Sequence, residues 1–141
     1  MALLKEKDRE FLTKEFQKLT NPVRLVYFTQ DRECTYCEMT GQIVQEVAGL
    51  SDKITATVYD FVANKDVADQ YGVDKIPAIV VEGAKDYGIR FYGIPSGYEF
   101  TSLIESIKDA SAGTTSLSAE TKAALARLES PVHIQVFTTP T

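Results

Sequence analysis

Two cysteines three positions apart are the residues whose types and spacing suggest chemistry. Cys34 and Cys37 are the only cysteines among the 141 residues. They follow a strand-like run at 23–28 and come just before a helix-like run at 39–50. A thiol at the first turn of a helix faces unpaired backbone N–H groups and the positive end of the helix dipole, and both favour the thiolate. A second thiol one turn later can attack a mixed disulfide formed on the first. We therefore expect Cys34 to be a nucleophile and Cys37 a resolving thiol.

Two interpretations of the same pair involve no catalysis. Cys34 and Cys37 could form an inert structural disulfide, or they could supply half of a zinc site. Zinc needs four ligands, and the chain adds only one distant histidine, His133. A zinc site shared by two chains, each supplying its pair, is compatible with this count. Thiol reactivity separates the interpretations, because a structural pair should be unreactive at neutral pH and a zinc pair should release metal.

The composition is that of an ordinary globular domain. Hydrophobic residues make up 44% of the chain and charged residues 25%. The net charge of -5, without any cluster of Lys and Arg, argues against a nucleic-acid partner or a membrane partner. The apolar start at 1–4 is too short for a signal peptide, and no apolar run approaches the length of a membrane span. Two cysteines in one local motif differ from a secreted disulfide framework, so we expect a cytoplasmic location.

The apolar periodicity predicts the elements that hold the cysteine pair. In chain order these are an amphipathic helix at 5–19, a buried strand at 23–29, the helix after the pair, a strand at 54–62, a short helix at 64–72, a hairpin of strands at 78–81 and 88–92, and a helix capped by Ser96 and Glu99. The helix between the first two strands predicts a parallel, right-handed βαβ unit. Gly41 inside the helix after the pair costs about 1 kcal/mol relative to Ala, which indicates a kink or close packing. The small polar residues at 111–116 predict a linker.

After this linker the sequence repeats. Residues 21–29 match residues 130–138, with Pro, Val, Phe and Thr in one register 109 positions apart (131 minus 22). The preceding helix repeats as well, with Ser118 as a candidate N-cap, and at this offset Cys34 would recur at position 143. We therefore expect one complete unit with the cysteine pair at 1–113. Residues 114–141 would then be a linker plus the first helix and strand of a truncated second unit.

The element order resembles that of the thioredoxin/glutaredoxin superfamily, with Cys-x-x-Cys after the first strand and Ile76-Pro77 before the third. The repeat narrows this resemblance to the glutaredoxin-like protein disulfide oxidoreductases, which have two tandem thioredoxin-fold units. Residues 90–100 also look like that family's own segment. The resemblance implies an α/β thioredoxin fold with a four-stranded mixed sheet flanked by helices. An extra N-terminal helix and a C-terminal helix-strand extension would be added to it.

The resemblance also implies roles for residues around the cysteine pair. Pro77 would have a cis peptide bond and pack against the thiols, while the Ile76 backbone would pair with an extended substrate chain. Gly93 matches a glycine on the neighbouring loop of the same groove. Tyr36 matches the aromatic residue of the glutaredoxin Cys-Pro-Tyr-Cys motif, whose proline is replaced here by Thr35.

One departure from the family concerns proton transfer. The strand at 23–28 carries no acid, so the buried carboxylate that serves thioredoxins as a proton acceptor is absent from the matching place. Glu33, Glu38 and Asp60 are nearby candidates for that role, and all three also fit ordinary surface acids.

These observations together predict an enzyme that exchanges dithiol and disulfide with protein substrates, without a metal or a bound cofactor. The resemblance implies recharging by a thioredoxin-reductase-like flavoenzyme. One alternative is a dedicated electron-relay domain, like the tandem thioredoxin-fold module of alkyl hydroperoxide reductase systems. Another is a non-enzymatic module whose cysteine pair is structural or binds zinc. The apolar segment at 132–137 would be an exposed edge strand that is disordered or joins a sheet, so homo-oligomerisation through 114–141 is a further hypothesis.

Overall fold

One mixed sheet of four strands forms the centre of the molecule. The computed structural model describes residues 1–139. Its strands are β1 (Val23–Thr29), β2 (Ile54–Asp60), β3 (Ala78–Glu82) and β4 (Asp86–Tyr92). The order across the sheet is β2-β1-β3-β4, with β1 parallel to β2, β1 antiparallel to β3, and β3 antiparallel to β4. The predicted βαβ unit and hairpin are therefore confirmed.

Helices flank the sheet on both faces. In the described residues they are α1 (Glu6–Phe16), α2 (Cys37–Ala48), α3 (Lys65–Tyr71), α4 (Tyr98–Ala112) and α5 (Ala119–Ala126). Gly72 ends α3 in the left-handed conformation, with φ 66°, as expected of a C-cap glycine. Within this part of the chain, no helix is long and apolar enough to cross a membrane.

Strand β1 is buried on both faces, as its nearly continuous apolar sequence predicts. Leu25 and Tyr27 lie in the larger core, with apolar residues of α1, α2 and α4. Val26 and Phe28 lie in the smaller core, which α3 covers. Burying a large apolar side chain contributes roughly 1.5–3 kcal/mol, so β1 is anchored from both sides. The strand that leads to the cysteine pair is thus a rigid support for it.

The start of α4 differs from the prediction. Its N-cap is Gly97, with φ 61° and ψ -128°, and no side chain makes a capping hydrogen bond there. The predicted capping box was therefore wrong, because the positive φ of Gly97 moves the first helical residue to Tyr98. Ser96 takes part through its backbone instead, where its carbonyl accepts a hydrogen bond from the Glu99 N–H at 3.3 Å.

The end of α4 also differs, since the predicted linker begins too early. The helix continues to Ala112, and Gly113 caps it in the left-handed conformation. Ser111 is helical and buried, with its hydroxyl accepting from the Asn21 N–H at 3.0 Å and donating to the Asn21 carbonyl at 2.7 Å. A small polar residue satisfied by the chain before β1 therefore belongs to the fold and not to the linker.

The C-terminal extension forms its predicted helix but not its predicted strand. Ser118 caps α5 by accepting a hydrogen bond from the Thr121 N–H at 3.1 Å, and no residue of α5 is buried. Residues 131–139 form no strand in the structure, and Ile134 and Phe137 are 80% and 88% exposed. The strand prediction is wrong here because a strand needs a paired neighbour, as β1 has in β2 and β3. Pro140 and Thr141, which end the predicted extension, lie outside the described residues.

Candidate active site

The cysteine pair lies where β1 passes into α2. Cys34 is in the connecting turn, and Cys37 is the first residue of α2, two positions before the predicted start. A disulfide joins the two sulfur atoms, with the Cα atoms 5.5 Å apart, and the Cys37 N–H donates to the Cys34 carbonyl at 3.4 Å. Cys37 is only 3% exposed, whereas Cys34 is partly exposed. An external sulfur atom would therefore reach Cys34 first.

Three loops leave the sheet at this same end. Phe28 of β1 pairs with Ala78 of β3, and Ala78 pairs with Tyr92 of β4. The residues just beyond these positions are the cysteine turn, the segment that ends at Pro77, and the loop that starts at Gly93. Adjacent strand ends thus bring together segments that are far apart in the sequence.

The Pro77 and Gly93 loops contact each other directly. The Ile76–Pro77 peptide bond is cis, as the resemblance implies. The Gly93 N–H donates a hydrogen bond to the Pro77 carbonyl at 2.9 Å, and Gly93 has a φ of 84°, which side-chain-bearing residues rarely adopt. Pro77 is buried and Ile76 is partly exposed, and Tyr36, the residue before α2, is 52% exposed. The structure therefore leaves Ile76 and Tyr36 accessible at this end of the sheet.

A tyrosine beneath the pair was missed by the sequence reasoning. The Tyr27 hydroxyl donates a hydrogen bond to the Cys37 carbonyl at 2.6 Å. A Cβ atom at Gly41 would lie 3.1 Å from Tyr27 Cε1, so the close packing that Gly41 indicates is confirmed. Burial raises the pKa of Tyr27, against the opposing effects of the Thr29 side chain and the Gly41 N–H. The available signal was a tyrosine inside a buried strand, because its hydroxyl needs a partner.

The three acids considered for proton transfer do not take the place of a buried carboxylate. Glu33 and Glu38 are exposed. Asp60 accepts hydrogen bonds through Oδ1 from the N–H groups of Val62 and Ala63, at 2.9 and 2.7 Å, which fixes it in the turn after β2. These contacts are those of surface and turn acids.

A charged network occupies the opposite end of the sheet. Arg24 and Glu82 form an ion pair across β1 and β3, and Tyr71 donates a hydrogen bond to Glu82 at 3.1 Å. Hydrogen bonds from Arg90 lower the pKa of Asp86 to about 2, although burial raises it. This shift comes from an ion pair along β4 and does not involve the cysteines. Elsewhere in residues 1–139, no group of three or more His, Cys, Asp and Glu side chains could hold a metal ion, so a zinc site shared between chains is the form of that hypothesis that remains open.

Comparisons with known proteins agree with this architecture. The family model described as thioredoxin domain matches residues 26–105. A probable thioredoxin from Methanothermobacter thermautotrophicus is 35% identical over 77 residues, which cover 54% of this chain and 82% of that protein. The alkyl hydroperoxide reductase protein AhpF from Pseudomonas aeruginosa is 33% identical over 88 residues, which cover 62% of this chain but 15% of that protein.

Two solved structures resemble nearly the whole chain. The alkylhydroperoxide reductase protein AhpF from Enterococcus faecalis superposes with a TM-score of 0.78 at 30% identity, covering 89% of this chain and 61% of the other. A protein disulfide oxidoreductase from Aeropyrum pernix also superposes with a TM-score of 0.78, at 26% identity, covering 88% of this chain and 55% of the other. The chain thus spans less than two thirds of the length of either. Because the family model matches more than half of the chain and the cysteines lie at disulfide distance between β1 and α2, this chain belongs to the thioredoxin family and is equipped for thiol–disulfide exchange.

Proposed function

We propose that this chain exchanges dithiol and disulfide with protein substrates through Cys34 as nucleophile and Cys37 as resolving thiol. The observation that carries the proposal is the unequal burial of two cysteines within disulfide distance, with Cys34 partly exposed and Cys37 3% exposed. An incoming disulfide can reach the first sulfur but not the second. The second sulfur is held where it can attack only a bond made by the first.

The reaction balances without a metal or a bound cofactor. The Cys34 thiolate attacks one sulfur of the substrate disulfide, so that the substrate bond breaks and a mixed disulfide forms. The Cys37 thiolate then attacks the Cys34 sulfur and expels the second substrate thiolate. The two departing thiolates take up the two protons that the cysteines lose. The substrate gains two electrons, and the chain is left with the Cys34–Cys37 disulfide.

The substrate chain would bind where the three loops meet. Support comes from the contact between the Pro77 and Gly93 loops and from the exposure of Tyr36 beside the cysteine turn. In the proposed complex, the backbone of Ile76 pairs with an extended substrate segment, and Pro77, Gly93 and Tyr36 form the walls of the groove. Main-chain pairing of this kind gives affinity with little dependence on the substrate sequence.

A redox partner protein would return electrons to the oxidised pair, and we propose a thioredoxin-reductase-like flavoenzyme. The likeness to the alkylhydroperoxide reductase protein AhpF, over 89% of this chain, supports a reductase partner. The same likeness favours a second candidate function, a dedicated electron-relay domain that serves one partner of a peroxide-reductase system. A relay domain would leave an unrelated protein disulfide, such as that of insulin, unreduced. The two-cysteine redox motif supports a cytoplasmic location.

The proposed function predicts a reactive thiolate at Cys34. Titrated by its ultraviolet absorbance in reduced wild-type protein and in Cys37→Ala, the Cys34 thiol should ionise well below the value of about 8.5 of a free cysteine. Equilibration of the wild type with glutathione should reveal a reversible two-electron couple. Ordinary ionisation, together with a pair that neither oxidises nor reduces readily, would leave only the structural or zinc-binding interpretations.

We further infer that residues 1–113 form one thioredoxin-fold unit and that 114–141 are a linker plus the first helix and strand of a second. The match at an offset of 109 residues (131 minus 22) supports this division, as does the capping of α5 by Ser118. The apolar side chains of 132–137 stay exposed, and such a segment normally finds a partner. We therefore propose a homo-oligomer through 114–141.

Deleting 114–141 should convert this oligomer to a monomer. The residues of α5 are not buried and residues 131–139 pair with no strand of the described sheet, so the fold of 1–113 should tolerate the loss. Sedimentation velocity of the full and shortened proteins at equal concentration measures the change, and the Cys34–Cys37 couple serves as the control for folding. An assembly state that is the same with and without the segment would refute this role.

A further inference from the structure

The Tyr27 hydroxyl is the polar side-chain group that holds the resolving cysteine from below. Tyr27 lies in β1 and is 2% exposed, and its hydroxyl donates to the Cys37 carbonyl at 2.6 Å. The bond joins the last part of the central strand to the first residue of α2. We propose that Tyr27 is a positioning residue for the resolving step, a role that rests on the proposed function above.

Geometry gives this hydrogen bond more weight than an ordinary one. At 2.6 Å it is at the short end of the range for O–H···O bonds. Both partners are buried, so no water replaces either one at low cost. Burial raises the pKa of Tyr27, so the hydroxyl remains a protonated donor at neutral pH.

The helix is shaped to admit the tyrosine. Gly41 lies one turn beyond Cys37 on α2, and a Cβ atom there would lie 3.1 Å from Tyr27 Cε1. That separation is tighter than ordinary van der Waals contact. The absence of a side chain at Gly41 therefore lets the ring approach α2 closely enough for the hydroxyl to reach the Cys37 carbonyl.

The hydrogen bond matters most when the disulfide is open. In the oxidised state the covalent bond to Cys34 holds Cys37 in place. In the mixed disulfide, that bond is absent and the first turn of α2 is free to fray. The bond to Tyr27 then keeps the Cys37 thiol close to the Cys34 sulfur that it must attack. Intramolecular reactions depend strongly on such orientation.

A model disulfide separates the two chemical steps. When reduced protein reacts with excess 5,5′-dithiobis(2-nitrobenzoate), the Cys34 thiolate displaces one 2-nitro-5-thiobenzoate and forms a mixed disulfide. Cys37 then loses its proton, attacks the Cys34 sulfur and displaces the second equivalent, which leaves the Cys34–Cys37 disulfide. The first release reports on Cys34 and the second on Cys37, and both are followed by absorbance in a stopped-flow instrument under dilute reagent.

Tyr27→Phe should slow the second release by about 3- to 10-fold, the effect expected from the loss of one hydrogen bond. The first release should change less than twofold. Tyr71→Phe is the matched control, because it removes a hydroxyl that accepts from Arg24 at 2.7 Å and donates to Glu82 at 3.1 Å on the other face of the sheet. The control should leave both releases at the wild-type rate.

A second variant keeps the test informative if Tyr27→Phe folds poorly. Gly41→Ala leaves the hydroxyl in place but displaces the ring, so it should slow the second release in the same direction. All rates are measured well below the unfolding midpoint of each variant. A second release within twofold of wild type in both variants would overturn the positioning role, even if their melting temperatures fall. A wild-type protein that releases a single equivalent would instead overturn the proposed function, and this role with it.

Discussion

Cys34→Ser should abolish disulfide exchange, lowering the rate of protein disulfide reduction by at least about 1000-fold. A serine hydroxyl is almost wholly protonated at neutral pH, so it cannot replace the thiolate as the attacking group. The assay is the reduction of insulin by the chain, with dithiothreitol as the source of electrons. This prediction uses only the difference in exposure between the two cysteines.

Cys37→Ser is the matched variant, and its expected result differs in kind. Cys34 still attacks, but the mixed disulfide is not resolved from within, so mass spectrometry should detect the chain joined to its substrate. The same variant should release one equivalent of thiol from a model disulfide. If Cys37→Ser lost the first attack and Cys34→Ser retained it, the two roles would be reversed. If both variants kept full activity, the pair would not be the catalytic centre.

Gly83→Ala should be severely destabilising. A Cβ atom at Gly83 would lie 2.1 Å from the carbonyl oxygen of Ala110 and 2.9 Å from its carbon. The obstacle is the backbone of α4, which cannot easily move because Ile107 and Ser111 are buried on either side of Ala110. We expect a loss of about 3 kcal/mol in the free energy of unfolding, measured by urea denaturation.

Gly72→Ala is the control for the Gly83 prediction. Gly72 has a φ of 66°, and an added Cβ atom there would meet nothing within 4 Å. Its replacement therefore measures the cost of backbone strain alone, roughly 1 kcal/mol. An equal loss in both variants would show that α4 yields at Ala110. Gly83 follows β3 at the end of the sheet away from the cysteine turn, so the folded fraction of Gly83→Ala should exchange disulfides normally.

Local signals in the sequence account for most of the elements. The uninterrupted apolar run of β1 predicts a strand buried on both faces, and the structure covers it with helices on both. Gly72 ends its helix as its lack of a side chain predicts, because only glycine enters the left-handed region at little cost. The cysteine pair follows the strand at the predicted place. Each of these features depends on residues close together in the chain.

Other features depend on residues that are distant in the chain, and here the predictions were incomplete or wrong. Ser111 looks like part of a polar linker until Asn21, 90 residues away, is seen to satisfy its hydroxyl. The segment at 132–137 has the apolar sequence of β1 but lacks the neighbours that β1 has, and a strand cannot form without them. Propensity indicates what a segment can become, while its hydrogen-bond partners decide what it becomes.

The candidate site divides in the same way. The sequence alone establishes the cysteine pair, and the resemblance of its motifs adds Ile76, Pro77 and Gly93 as candidates. Only the tertiary structure places Tyr27 under Cys37, because that contact needs β1 and α2 to pack at a distance that Gly41 permits. The type and spacing of the thiols decide which chemistry is available. The packing of the strand against the helix decides which sulfur atom is accessible and what holds the other in place.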